Sequence, residues 1–291
     1  MLRTTLLAST LALSFNVAQA QDSAKAPLQL KVYNADAASF HVNSVLISGE
    51  KEAVLIDSGF TRADALRIAA NVLDSGKQLT TILISQADPD YYFGVEVLKN
   101  MFPQAQVVAT PAVLAKINSK LAGKVAFWGP KMGANAPKNP VLPKALQGNT
   151  LKLEGETIEI RGNTGILAHR PYVWIPSIKT IAGNIAVTGG LHVWTADTQT
   201  IAERQAWLAQ LDEMAALQAV TVIPGHMRAG TPLDASQITF TQQYLQQFEK
   251  NAAMAKNSAE LIRSMQNAYP QIETDMSLEI GAKVNQGEMK W

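Results

Sequence analysis

The chain has 291 residues, 47% of them hydrophobic and 17% charged, with a net charge of +1 and no cysteine. That size and apolar content belong to a globular protein with one large core or two small ones, and the near-neutral balance argues against nucleic acid or an anionic membrane as the main partner. The absence of cysteine removes disulfides and thiolate chemistry.

Residues 1–20 combine Arg3, an apolar run over 6–17, and small residues at Ala18 and Ala20, the pattern of a cleaved secretory leader. The run is shorter than the roughly 20 residues of a membrane span. A periplasmic or secreted protein beginning near Gln21, with no integral membrane span, is therefore expected. Residues 29–57 alternate as three strands (LKVYN, FHVNSVLISG, AVLIDSG) with a turn at Gly49-Glu50-Lys51, which leaves Asp57 at a strand end. His41 falls within this alternation and reads as a sheet histidine. Thr61 and Asp64 form a capping box ahead of a helix with apolar face Ala65, Ile68, Ala69, Val72 and Leu73, closed by Gly76.

The strand 80–85 then runs into the polar loop SQADPDYYFG, and Val95, Leu98 and Phe102 give a short helix ended by Pro103. A brief strand at 107–109 follows. Polar residues gather at strand ends, where open α/β sheets place their sites. Periodicity fades over 118–149, where Gly, Pro and Lys take over, so a surface insertion or lid is expected there. Sheet pattern resumes over 151–160 and in short segments up to 187. Residues 201–217 predict an amphipathic helix with Trp207, Leu208, Leu211 and Met214 inward, feeding the strand AVTVIPG that delivers His226. One long or broken helix is expected over 235–265, in a C-terminal helical segment. No second domain is evident, which makes 21–291 a single domain.

The polar strand ends occur in a recognisable order: DSG at Asp57, SQADPDYYFG, GNTG at Asn163, AGN at Asn184 and PGH at His226. Over residues 29–228 the chain resembles the metallo-β-lactamase-fold hydrolases, most closely their exported branch. The resemblance implies an α/β (α+β) four-layer αβ/βα sandwich with a zinc pair at one edge. The family loop T-H-x-H-x-D-H falls on residues 85–91. Position by position, Gln86, Asp88 and Asn163 stand where three histidines would hold the first metal. Asp90, Tyr91 and His226 stand where Asp, His and His would hold the second, and Asn184 replaces the bridging aspartate. Only Asp90 and His226 match.

Neutral amides are poor zinc donors, so a normal dinuclear zinc centre is not expected. Two outcomes stay open: an oxygen-rich cage for one divalent cation, or polar groups that pair with one another. Tyr91 and His192 are candidate ligand contacts, whereas His169 belongs to a loop expected to be exposed. Two functions follow. One is a catalytically impaired protein that binds a small molecule or partner in the cleft. The other is a hydrolase with a mononuclear site around Asp88, Asp90 and His226, with Asp90 as metal ligand or base and His226 as a ligand. Oligomeric state is not legible in the sequence.

Overall fold

The structure, a computed structural model, describes residues 26–291. The expected leader lies outside these residues. Strands β1 (Gln29–Asn34), β2 (Asn43–Ser48) and β3 (Glu52–Ile56) form an antiparallel meander. It is extended by the parallel strands β4 (Gln78–Leu83), β5 (Gln106–Ala109) and β6 (Lys144–Ala145), in spatial order β1 to β6. The parallel joins require crossovers. These are the helix α1 (Arg62–Ser75), the short pair α2 (Pro89–Tyr92) and α3 (Val95–Met101), and α4 (Pro111–Met132).

A second sheet is built from β7 (Thr150–Leu153), β8 (Glu156–Arg161), β9 (Tyr172–Ile175), β10 (Thr180–Ala182) and, after a break, β12 (Thr221–Val222), in spatial order β12-β10-β9-β8-β7. Between them in sequence, β11 (Thr188–Gly189) pairs in parallel with β13 (His226–Met227). Helices α5 (Ile201–Ala216), α6 (Ser236–Met254), α7 (Ser258–Ala268) and α8 (Met276–Asn285) complete the chain.

Period-two alternation explains the layering. In β3, Ala53 and Leu55 join a core shared with α1, while Val54 and Ile56 point the other way and pack with Ile158, Ile160 and Val173 of the second sheet. A third apolar layer joins Tyr172 and Trp174 of β9 to Trp207 of α5 and Phe248 of α6. Three apolar layers separate four layers of structure, giving helices, sheet, sheet, helices. Among the described residues no helix is long and apolar enough to cross a membrane.

Several expectations change. Much of the stretch 118–149 is not loop, because α4 runs from Pro111 to Met132, with Thr110 capping its start and Pro130 within its last turn. Its periodicity is weak because only Val113 and Ile117 are fully buried, while Leu121, Val125 and Trp128 pack half-buried on the core. Leu73 is exposed rather than inward. His41 is not a strand residue. It occupies a turn with φ 55 ahead of β2. Of the two forms expected for the C-terminal helix, long or broken, the broken one is found, with its break at Ala255, and α8 adds a further helix. The capping box of Thr61 and Asp64, and the Gly76 cap with φ 63, are present as expected.

The tip of the β7–β8 hairpin ties the two sheets together. Glu154 accepts backbone N–H bonds from Glu50, Lys51 and Glu52 at 2.8, 2.6 and 2.7 Å, so its carboxylate satisfies the whole β2–β3 turn. We expect Glu154→Ala to cost about 1–3 kcal/mol, the scale of charge-assisted bonds partly open to water. Urea unfolding reads this directly, and an unchanged midpoint would show that the turn holds without the clamp.

Candidate functional site

Asp57 ends β3 with φ 62 and is 1% exposed. Ser85, at the end of β4, donates its backbone N–H (2.7 Å) and hydroxyl (2.6 Å) to the Asp57 carboxyl. Burial pushes this carboxyl up to about 8, against the pull of both bonds. The pair fixes where the 86–91 loop leaves the sheet.

The loop residues then diverge. Gln86 donates its amide to the Pro171 carbonyl at 2.7 Å, and its Oε1 is buried without a partner. Asp88 stands at the N-cap position of α2 but makes no capping bond, and it lines a cavity of about 410 Å³. Asp90 lines the same cavity, with Oδ2 3.3 Å from His226 Nε2. Tyr91, a candidate ligand contact, is instead fully buried, and its hydroxyl donates to the Asn184 carbonyl at 3.1 Å. Asn184 is spent at both ends. Its amide donates to Ile223 O at 3.0 Å and its Oδ1 accepts from Val187 N at 2.8 Å. Asn163 is half-buried in the loop after β8.

His226 Nδ1 meets the Phe40 carbonyl at 2.7 Å. A carbonyl only accepts, so Nδ1 carries a hydrogen and the neutral ring presents a lone pair at Nε2. Burial lowers this imidazole to about 4. Burial first, and then the neighbouring Asp88 charge, raise Asp90 well above the usual carboxylate range. The contact therefore holds together when Asp90 keeps its proton and donates it to Nε2. His192 also lines the cavity. It is 2% exposed, with Nδ1 2.9 Å from the Tyr244 hydroxyl and Nε2 unpartnered. Burial holds it below its ordinary value, and the Ile272 backbone opposes this only in part. His169, expected to be exposed, is half-buried and lowered to about 4 by burial and then by Arg170.

Three participants are absent from the sequence reading. Asp197 lines the cavity and accepts indole N–H bonds from Trp194 (2.7 Å) and Trp291 (3.2 Å). Burial opposes its charge, but Arg170, the Trp194 bond and Lys124 hold it low overall. Arg170 is buried over the Trp207 ring, with one guanidinium nitrogen unpartnered. Burial raises Asp88, as does Asp197, whereas Arg170 and Lys124 pull it down. Only the Trp-x-x-Asp spacing of Trp194 and Asp197 carries a local signal. Arg170 and Trp291 have none, because their roles come from distant packing.

The sequence profile of the Metallo-beta-lactamase superfamily matches residues 39–226, more than half of the chain. The chain belongs to the metallo-beta-lactamase superfamily. Its fold is similar to that of a metallo-beta-lactamase family protein from Thermus thermophilus, at 17% identity and a TM-score of 0.60, covering 90% of this chain and 92% of that one. It is also similar to DIM-1 metallo-beta-lactamase from a crystal exposed to ceftazidime, at 15% identity and a TM-score of 0.50, covering 76% of this chain and 98% of that one. No curated protein matches the sequence. The superfamily match ends at His226, so α6, α7 and α8 lie beyond it, and α8 adds Met276 and Ile280 to the cavity wall.

The zinc pair implied by the superfamily does not fit these residues. Among the described residues no three His, Asp, Glu or Cys side chains group closely enough to hold a metal ion. The amide of Asn184 and the hydroxyl of Tyr91 are both bonded to backbone carbonyls.

Proposed function

We propose that this superfamily member is an exported protein that has given up zinc-dependent hydrolysis and binds a small molecule in the old cleft. The observation that carries this is Asn184, whose side chain is spent on Ile223 and Val187 and so fastens the loop where a bridging ligand would be needed. The cleft itself persists as a cavity of about 410 Å³, within the size range of small-molecule sites. Export is read from the leader pattern of residues 1–20. The alternative is a hydrolase with one metal at Asp88, Asp90 and His226. It is favoured by a single contact, the 3.3 Å approach of Asp90 to His226.

Metal analysis of protein purified without chelator, with a competitive zinc titration, separates the two. Metal well below one equivalent is expected. A stoichiometric divalent metal accompanied by hydrolytic turnover would overturn the proposal. The same titration tests the correspondence of positions with the superfamily. Gln86→His, Asp88→His and Asn163→His together supply three imidazoles, and we expect zinc affinity to rise by at least about tenfold. Equal, weak affinities in both proteins would show that these positions do not converge.

A further inference from the structure

The cavity joins two features that belong together chemically. Aromatic rings make its walls: Trp194 and Trp291 lie 5.1 Å apart at 70° on one side, and Trp128 meets Phe40 and Phe60 edge-on at 5.5 and 5.3 Å on another. Its charged lining is acidic, with four aspartates, Asp88, Asp90, Asp197 and Asp275, against one lysine, Lys124.

Two of those carboxylates are already committed. Asp197 holds the two indoles, and Asp275 caps α8 through the N–H groups of Ser277 and Leu278. A third, Asp90, shares its proton with His226 Nε2 across 3.3 Å, whereas Asp88 takes no capping bond and stands open to a ligand. A cation in the cavity would give the Asp88 carboxylate the partner it lacks. The lining already shows the second half of such recognition, because the Lys124 ammonium stands 5.4 Å over the Trp291 ring. His192 in the same wall leaves a buried nitrogen that the protein does not satisfy.

We propose that the cleft takes an organic cation, with its positive head at Asp88 and its apolar body between the aromatic walls. This rests on the small-molecule reading above and adds the ligand's chemical class. An anion of the same shape would meet the Asp88 carboxylate, and a neutral molecule would leave it without a partner.

The test uses three probes of matched shape: phenylpropyltrimethylammonium, 3-phenylpropan-1-ol and 4-phenylbutyrate. Each is titrated at one pH and salt concentration into the full chain, with tryptophan fluorescence and calorimetry as readouts. We expect the ammonium to bind at least about tenfold more tightly than the alcohol, and the butyrate to bind weakest. Asp88→Asn should remove most of that preference. It leaves the fold intact because the Asp88 side chain caps nothing. Trp291→Leu, at a residue 37% exposed, keeps the apolar wall but not the π face, and should weaken the ammonium more than the alcohol. An alcohol that binds as tightly as the ammonium, or a tighter butyrate, would overturn the cation assignment while leaving the cleft a small-molecule site. Binding of none of the three would overturn it as well. Stoichiometric zinc with turnover in the metal titration would instead remove the reading beneath it.

Discussion

Asp57→Asn will make the protein more stable than the wild type at pH 8 and will flatten its loss of stability with rising pH. The Asp57 carboxyl rises from an ordinary 3.8 to about 8 because it is buried, and the two bonds from Ser85 do not compensate. For an acid raised in this way, the folded chain binds more protons than the unfolded one between the two values. Its contribution is therefore fully present below about pH 4 and is lost as pH climbs from about 4 to about 8. A rise of that size corresponds to a loss on the order of 6 kcal/mol across the window.

Asparagine keeps the geometry. Its Oδ1 can accept the Ser85 N–H and its Nδ2 can donate to the Ser85 hydroxyl oxygen, and no charge develops. The lowered histidines, His169 and His226 at about 4, act in the opposite direction between pH 4 and their ordinary 6.5. The difference between variant and wild type cancels them. Urea unfolding of both proteins at pH 5, 6.5 and 8 measures it. Parallel declines in the two proteins would show that Asp57 is not the group responsible.

The second large effect concerns Gly225, beside His226. A β-carbon there would lie 2.0 Å from the Asn184 carbonyl oxygen and 2.6 Å from the Tyr91 hydroxyl, which are the two atoms of the bond under the cleft floor. Gly225 is also held by its own backbone, donating to Val187 O and accepting from Asn43 N, both at 2.9 Å. Neither side can give way without moving the loops that carry Asn184 and His226. Gly225→Ala should cost about 3 kcal/mol or more, at the upper end for overpacking a filled interior. Tyr91→Phe alone should cost about 1 kcal/mol, one buried hydrogen bond. Combined, the two should cost less than their sum, because the phenol oxygen is one of the two obstacles. A Gly225→Ala protein within about 0.5 kcal/mol of wild type, in the range of an ordinary surface change, would mean the loops are not locked here.

Much of the fold is legible because its signals are local. The alternation of 29–57, the Thr61–Asp64 capping box and the Gly76 stop each depend on residues a few positions apart, and the structure realises all three. The order of polar strand ends carries the superfamily in the same way, since a chain motif records its positions whether or not the ligands remain. The helix over 111–132 is less legible. It rests on a half-buried face, so its apolar period is diluted by interspersed Lys and Gly.

The site divides along the same line. Sequence determined which residues stand at the strand ends: amides, carboxylates, a phenol and the imidazole of His226. Only the tertiary structure decided what those groups do: Asn184 turns to Ile223 and Val187, Gln86 to Pro171, and Tyr91 to Asn184. It also brought Asp197, Trp291 and α8 from the later part of the chain to wall a cavity that Asp88 and Asp90 also line. The physical reason is range. Strands and caps are set by neighbours along the chain, whereas the direction of a buried polar side chain is set by whichever unsatisfied backbone group the folded layers place within about 3 Å of it.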